Sequence, residues 1–146
     1  VLNSPLLIIH VIMIMISYAL FSLTFICAIA YFLTYRSKKT NIIQTNKQLT
    51  TLSQIFLYPA ITTLGLGIFI GAIWANISWG TYWGWDPKET WALITLMVYA
   101  IVLHKQSLAT FRKPQNYHLY MIIAFLSILM TYFGVNYVLG GMHSYA

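Results

Sequence analysis

Acidic side chains are nearly absent from this 146-residue sequence, which has two carboxylates, Asp86 and Glu89, against eight Lys and Arg residues. Charged residues of all kinds make up 7% of the chain, whereas apolar residues make up 60%. In soluble globular domains about a quarter of the residues are charged. The composition therefore excludes an ordinary soluble domain and indicates a membrane protein.

Cysteine is equally scarce, since Cys27 is the only one in the sequence. A single thiol excludes a disulfide framework, a cysteine-based zinc site and a thiol pair within the chain. Because Cys27 lies in the middle of an apolar segment, we expect it to fill a helix interface. The sequence has no internal repeat or low-complexity tract, and its start at Val1 leads us to expect part of a larger polypeptide.

Four apolar segments separated by short polar breaks organise the chain, at residues 5–35, 57–75, 89–105 and 117–139. Each is near the ~20 residues with which an α-helix crosses a bilayer, and the first is long enough for one end to project. The first segment is also too long for a secretory signal peptide and has no basic residues before it. We therefore predict an all-α, polytopic membrane helix bundle with four transmembrane helices.

Basic residues are concentrated in the breaks after the first and third segments. Seven of the eight Lys and Arg residues lie there: Arg36, Lys38, Lys39, Lys47, Lys105, Arg112 and Lys113. By the positive-inside rule these breaks are expected on the cytoplasmic side, so both chain ends and the second break face outward. The net charge of +6 is then an insertion signal rather than evidence for nucleic-acid binding, because the basic residues form two loops and not an interleaved patch.

Tryptophan is crowded into that second break. All five tryptophans lie within residues 74–91, and the stretch WGTYWGWDPKETWALIT holds four of them. One interpretation is an interfacial aromatic belt. However, the other expected interfaces have no tryptophan, and Trp79, Trp83 and Trp85 alternate with two glycines that permit close backbone approach. This alternation favours a loop that lies against a large planar ligand.

The residues that follow Trp85 have the pattern of a helix start. Asp86 is a good N-cap, Pro87 fits the first helical position, and Glu89 completes a capping box three residues after the cap. The cap would fix where the loop ends and so direct the tryptophans, which is compatible with a functional role as well. Lys88, the one basic residue expected on the outer side, would either pair with a ligand carboxylate or extend to water.

Two of the four histidines, His10 and His143, are expected at outer segment ends, on the same side as the tryptophan-rich loop. An isolated histidine near a helix end is usually an interfacial polar group. Ionisable residues within a membrane are nevertheless costly and tend to be functional. Two neutral imidazoles can bind the iron of one haem from opposite faces. A planar aromatic surface beside two histidines is the simplest arrangement consistent with haem.

The other two histidines are expected near the inner side. His104 follows Asp86 by eighteen residues, roughly 27 Å of helix, so it cannot belong to the outer site. It is either an inner interfacial residue or a ligand of a second site within the membrane. We expect His118, beside Tyr117 at a loop edge, to be a surface residue. A ligand partner for His104 would then lie on a helix outside this chain.

The stretch WGTYWGWDPKETWALI closely resembles the signature of the WWD membrane proteins, which handle haem. Within that group the resemblance is to the CcsA branch, including the fused CcsBA form, of the System II cytochrome c assembly machinery. Further matching stretches are HVIMIMISYA, GAIWANISWG, YAIVLH and GVNYVLGGMHSYA. The chain, residues 1–146, is thus identified as the C-terminal part of a CcsA-type transmembrane domain, with its outer WWD segment at about residues 74–91.

The resemblance implies haem-binding roles for His10, His143, Trp79, Trp83, Trp85, Asp86 and His104. His10 and His143 would ligate the iron of an outer haem b, against which the loop residues would lie. His104 would be one of two ligands to haem held within the membrane, and the second would lie in an earlier part of the polypeptide. His118 matches no ligand of the family.

The activity that the resemblance implies is holocytochrome c synthesis, in which haem crosses the membrane and is joined to the CxxCH motif of apocytochrome c at the outer face. A CcsB-type partner or fused N-terminal portion and membrane lipid are expected partners, and nucleic acid is not. We expect a bacterial cytoplasmic membrane, with the thylakoid membrane as the alternative.

Other classes of function are weighed against this one. A haem-delivery module of the CcmC type would share the tryptophan loop and two outer histidines, but the DPKETWALIT continuation and His104 argue against it. An electron-transfer cytochrome b would need two histidine pairs on facing helices. A purely structural subunit would not retain haem once the missing portion is restored.

Overall fold

The computed structural model of the protein describes residues 4–37 and 41–139. Within these residues the chain is helical and contains no strand, so the predicted all-α class is confirmed. The helices are α1 (Pro5–Arg36), α2 (Ile42–Trp79), α3 (Pro87–Ala100), two 3₁₀ turns (Ile101–His104 and Ala109–Arg112), α4 (Pro114–Leu129) and a π-helix (Met130–Leu139).

Local sequence signals mark most helix ends. Pro5, Pro87 and Pro114 occupy the first turn of α1, α3 and α4, where the missing proline N–H costs no hydrogen bond. Gly80 ends α2 in the left-handed region with φ of 78°, and its N–H donates to the Asn76 carbonyl. These ends leave a short loop between α2 and α3 that carries Trp83 and Trp85, with Trp79 as the last residue of α2.

Close packing of α1 against α2 depends on two glycines of α2. A Cβ atom on Gly67 would lie 2.8 Å from Cδ1 of Ile14, and one on Gly71 would lie 2.6 Å from the His10 ring. The two glycines are four residues apart and so occupy one helix face, the spacing that lets membrane helices approach closely. This groove fixes the distance of α1 from α2 near His10.

One apolar core joins all four α-helices. The Phe21 ring of α1 stacks on Tyr99 of α3 with ring centroids 3.9 Å apart, and Phe25 stacks on Phe125 of α4 at 4.4 Å. Cys27 is buried as a free thiol, which confirms its predicted place in a helix interface. The core therefore holds α3 and the end of α4 in position around the tryptophan-rich loop.

Three helices are long and apolar enough to cross a membrane: Pro5–Arg36, Ile42–Trp79 and Pro114–Val138. The predicted count of four is not confirmed, because α3 is only 14 residues long. It continues directly into the first 3₁₀ turn, Ile101–His104, and the combined rise of about 29 Å approaches the thickness of a bilayer core. A fourth crossing stays a prediction.

The second helix extends well beyond the predicted segment. The apolar pattern begins at residue 57, whereas α2 begins at Ile42 and includes Pro59 in its interior. Residues 42–56 include three Thr and three Gln, so hydropathy gives no sign of this part of the helix. The extension reaches the start of α4, where Oγ1 of Thr50 lies 2.9 Å from Nε2 of His118.

Candidate functional site

The tryptophan-rich loop is anchored by the predicted capping box, which the structure confirms. The Asp86 carboxylate, only 6% exposed, accepts a hydrogen bond from the Lys88 N–H at 3.2 Å. The Glu89 carboxylate accepts from the N–H of Asp86 at 3.3 Å and from that of Gly84 at 2.9 Å. The two acidic residues of the chain thus fix the end of the loop relative to α3.

Trp85 has an unusual backbone conformation, with φ of 55°. A bulky side chain is rarely found in this left-handed region, because its Cβ crowds the backbone. The two N–H groups that Glu89 accepts from belong to the residues on either side of Trp85. Glu89 therefore holds the strained conformation from both sides, and strain maintained in this way is typical of functional loops.

A cavity of about 400 Å³ lies where α1, α2, α3, the loop and the π-helix meet. Its volume falls within the range of small-molecule and cofactor sites, roughly 300–1,000 Å³. The wall is largely apolar, with polar groups contributed by separate elements. The cavity-lining residues used below are His10, Gly71, Trp74, Trp83, Lys88, Glu89 and Asn136.

His10 is oriented by a hydrogen bond between its Nδ1 and the Gly67 carbonyl oxygen, at 2.7 Å. A carbonyl can only accept, so Nδ1 carries a proton, and in the neutral imidazole Nε2 is then the nitrogen with the lone pair. Histidines that bind metal through Nε2 commonly donate their other N–H to a backbone carbonyl in this way. The ring is half-buried beside Gly71, where a Cβ atom would clash with it.

The four predicted loop residues have different positions. Trp83 lines the cavity together with His10, whereas Trp79, Trp85 and Asp86 are not among its lining residues. Trp79 packs edge-on against Trp74 with centroids 5.0 Å apart, and Trp85 is 70% exposed and packs edge-on against Trp83 at 5.9 Å. Of the four predicted residues, Trp83 is therefore the one that faces the cavity, beside Tyr82 of the same loop, and Trp85 packs against it.

Trp74 is a cavity residue that the sequence analysis did not include among the site residues. Its side chain is only 5% exposed and lines the cavity from α2. Trp74 follows Gly71 by three residues, which places the two on one helix face. The three-residue spacing identifies Trp74 as a site residue only once Gly71 is known to face His10.

Lys88 and Glu89 bring charge to the cavity wall. Partial burial lowers the pKa of the Lys88 ammonium, and the neighbouring Asp86 carboxylate partly offsets this effect. The position of Lys88 on the wall agrees with the interpretation in which its ammonium meets a ligand carboxylate. The same wall thus offers an imidazole, an indole and a cation to one ligand.

The structure does not bring His104 to this cavity. Its side chain is exposed at the far end of the first 3₁₀ turn, about 29 Å along the helix from the start of α3. Residues 4–37 and 41–139 contain no cluster of three or more His, Cys, Asp or Glu side chains suited to a metal ion. A role for His104 in an intramembrane site stays a prediction. His143 lies outside the described residues.

His118 is completely buried, so its predicted surface position is wrong. Its ring stacks on Tyr31 with centroids 4.3 Å apart, and its Nε2 lies 2.9 Å from Oγ1 of Thr50. The error follows from the unpredicted beginning of α2. Residues 42–56 were expected in a loop, but as a helix they place Thr50 over this face of α4.

Comparison with known proteins matches the chain to one family model and to several relatives. Residues 1–143 match the family model described as cytochrome c assembly protein. The chain is 42% identical over 153 aligned residues to protein NrfI of Wolinella succinogenes, covering 100% of this chain and 16% of that protein. It is 45% identical over 122 residues to cytochrome c biogenesis protein CcsA of Solanum tuberosum, covering 84% of this chain and 36% of that protein.

A further relative is the CcsA protein of Solanum lycopersicum, 52% identical over 84 residues, which covers 58% of this chain and 26% of that protein. The chain therefore spans between about a sixth and about a third of the length of these relatives.

Proposed function

Because this chain belongs to the cytochrome c assembly protein family, we propose that it holds haem b at the cavity and takes part in attaching it to apocytochrome c. The observation that carries the proposal is the His10 hydrogen bond to Gly67, which fixes the tautomer and the orientation of the imidazole at the cavity wall. His10 lines the same cavity as Trp83. An imidazole in the required tautomer beside an indole suits a flat, iron-containing ligand.

His143 is the proposed second iron ligand. It follows Asn136, a cavity residue of the π-helix, by seven residues. Seven residues span at most about 24 Å, enough for the chain to return to the cavity. Two imidazoles on opposite faces of the ring would hold the iron in a low-spin state.

The remaining loop residues would position haem. Trp83 would lie against the porphyrin, supported from behind by Trp85, while Trp79 would hold Trp74 and Asp86 would keep the loop end fixed. Lys88 would pair with a haem carboxylate, because a partly desolvated cation gains most from a charged partner.

The proposed reaction is addition of two thiols to the two haem vinyl groups. In each, the sulfur–hydrogen bond breaks, a carbon–sulfur bond forms, and the hydrogen goes to the other vinyl carbon, so no net oxidation occurs. The protein would contribute orientation and proximity by holding haem with one edge accessible to the CxxCH motif. One outer histidine would then give way to the histidine of that motif.

A complete site would require more of the protein than this chain. His104 would join a histidine from an earlier portion, fused or CcsB-like, in holding haem within the membrane. We place the loop on the outer face of a bacterial cytoplasmic or thylakoid membrane. The second candidate, haem delivery of the CcmC type, would use the same cavity without forming thioether bonds.

The two candidates differ in their product. The complete protein, purified and loaded with reduced haem, would be mixed with apocytochrome c, and covalent haem would be detected after denaturing electrophoresis. Synthesis predicts covalent haem with a CxxCH substrate, none with an AxxAH substrate, and little with the His10→Ala variant. Transfer of haem to an acceptor with no covalent product would support delivery instead.

A further inference from the structure

A second cavity lies at the opposite end of α3 from the tryptophan-rich loop and is not part of the proposed haem site. It has a volume of about 390 Å³ and is formed by α2, the chain between α3 and α4, and the start of α4. Lys105 and Arg112 line it together with Thr50, Gln54 and Phe111. Two cations and two neutral polar side chains give this cavity groups that favour an anion.

The two cations have no carboxylate near them. The only acidic residues of the chain, Asp86 and Glu89, lie at the start of α3. Lys105 follows α3 and the first 3₁₀ turn, about 29 Å away along the helix. This separation is several times the ~8 Å over which charges interact at physiological salt. No carboxylate of the chain therefore competes with an external anion for these two cations.

Arg112 is held in place by the protein backbone. Its Nε and Nη2 both donate to the Gln106 carbonyl, at 3.2 and 2.6 Å. Two N–H donors of the guanidinium are thereby fixed, and its remaining donors can serve a phosphate. The ordered side chain reduces the entropy that binding would cost.

The position of the cavity indicates where the anion comes from. It lies beside Thr50 and Gln54, just before the apolar part of α2 begins at residue 57, and beside Pro114, the first residue of α4. Phe111 lines it and packs edge-on against Tyr120 at 4.9 Å, which gives the site an apolar side. Basic pockets between helix ends at the membrane surface suit anionic lipid headgroups.

We propose that the cavity between Lys105 and Arg112 binds the phosphate of an anionic phospholipid headgroup. Thr50 and Gln54 would contact the headgroup, and Phe111 would lie along the start of the acyl chains. This inference does not depend on haem binding at the other end of the molecule.

The test is lipid retention by the complete protein. Native mass spectrometry would follow phosphatidylglycerol and phosphatidylcholine bound to the detergent-purified protein, the Lys105→Gln/Arg112→Gln variant and the Arg36→Gln/Lys47→Gln control. The control removes the same charge from exposed residues that do not line the cavity. We expect phosphatidylglycerol binding to fall at least tenfold in the first variant only.

Three results would overturn the proposal. Equal losses of phosphatidylglycerol in the two variants would indicate a general attraction of lipid to basic loops. Equal binding of phosphatidylcholine and phosphatidylglycerol would exclude recognition of the headgroup charge. Full displacement of the lipid by millimolar inorganic phosphate would identify a soluble anion as the ligand. If the double variant does not fold, the exposed Arg112→Gln variant alone replaces it, with Arg36→Gln as its control. The inference then predicts a loss of several-fold in the former and none in the latter.

Discussion

Replacing Gly71 with alanine should displace the His10 imidazole, because the new Cβ atom would lie 2.6 Å from both Cε1 and Nδ1 of that ring. Non-bonded carbon atoms are most stable about 3.5–4.0 Å apart, so either the ring or α1 must move by about 1 Å. Overpacking of this kind typically costs about 1–3 kcal/mol. The same movement would break the hydrogen bond from Nδ1 of His10 to the Gly67 carbonyl, which orients the ring at the cavity wall.

Gly65→Ala is the matched control, since a Cβ atom there would have no neighbour within 4 Å. Alanine in place of an unconstrained helical glycine is stabilising by up to about 1 kcal/mol. Thermal unfolding in detergent should therefore show Gly65→Ala at or above the parent and Gly71→Ala below it. Haem content, measured on the same samples, should fall only in Gly71→Ala.

A double-mutant cycle identifies the cause. In a His10→Ala background the clash has no partner, so Gly71→Ala should no longer destabilise the protein. The reasoning would be refuted if Gly71→Ala behaved like Gly65→Ala, or if its cost were the same with and without the imidazole.

Three further perturbations follow from the described contacts. Trp83→Ala should reduce haem affinity by tenfold or more in a titration, while Trp85→Ala, which removes only support, should reduce it less; equal effects would contradict the placement of these rings. Glu89→Ala should cost about 1 kcal/mol in thermal unfolding, whereas Glu89→Gln keeps an acceptor for the two N–H groups and should cost less; no difference would mean that the capping box does not hold the loop. His118→Ala should lower the free energy of unfolding, measured with denaturant, by about 2–4 kcal/mol. The same substitution at the exposed His104 should lower it by less than ~0.5 kcal/mol, and similar losses would show that His118 is not buried.

Features determined by local chemistry were predictable from the sequence. The bounds of α1 follow from a long apolar run that begins at Pro5, and the capping box of α3 follows from the spacing of Asp86 and Glu89. Such signals depend on residues within a few positions of one another, so they can be recognised in the sequence before the fold is known.

Features determined by distant contacts were not predictable. The beginning of α2 is polar, so the apolar pattern predicted too short a helix, and His118, which this part of α2 contacts through Thr50, was expected at the surface. The orientation of His10 depends on the Gly67 carbonyl, 57 residues away. No local pattern distinguishes Trp83, which faces the cavity, from Trp85, which does not.

Binding of haem iron by His10 is tested most directly by the visible absorption spectrum of the complete protein. If His10 and His143 hold the iron, the parent shows a low-spin, bis-imidazole spectrum, which is lost in His10→Ala and in His143→Ala and recovered in both when imidazole is added. An unchanged spectrum in both variants would contradict the account and place any bound haem elsewhere in the protein.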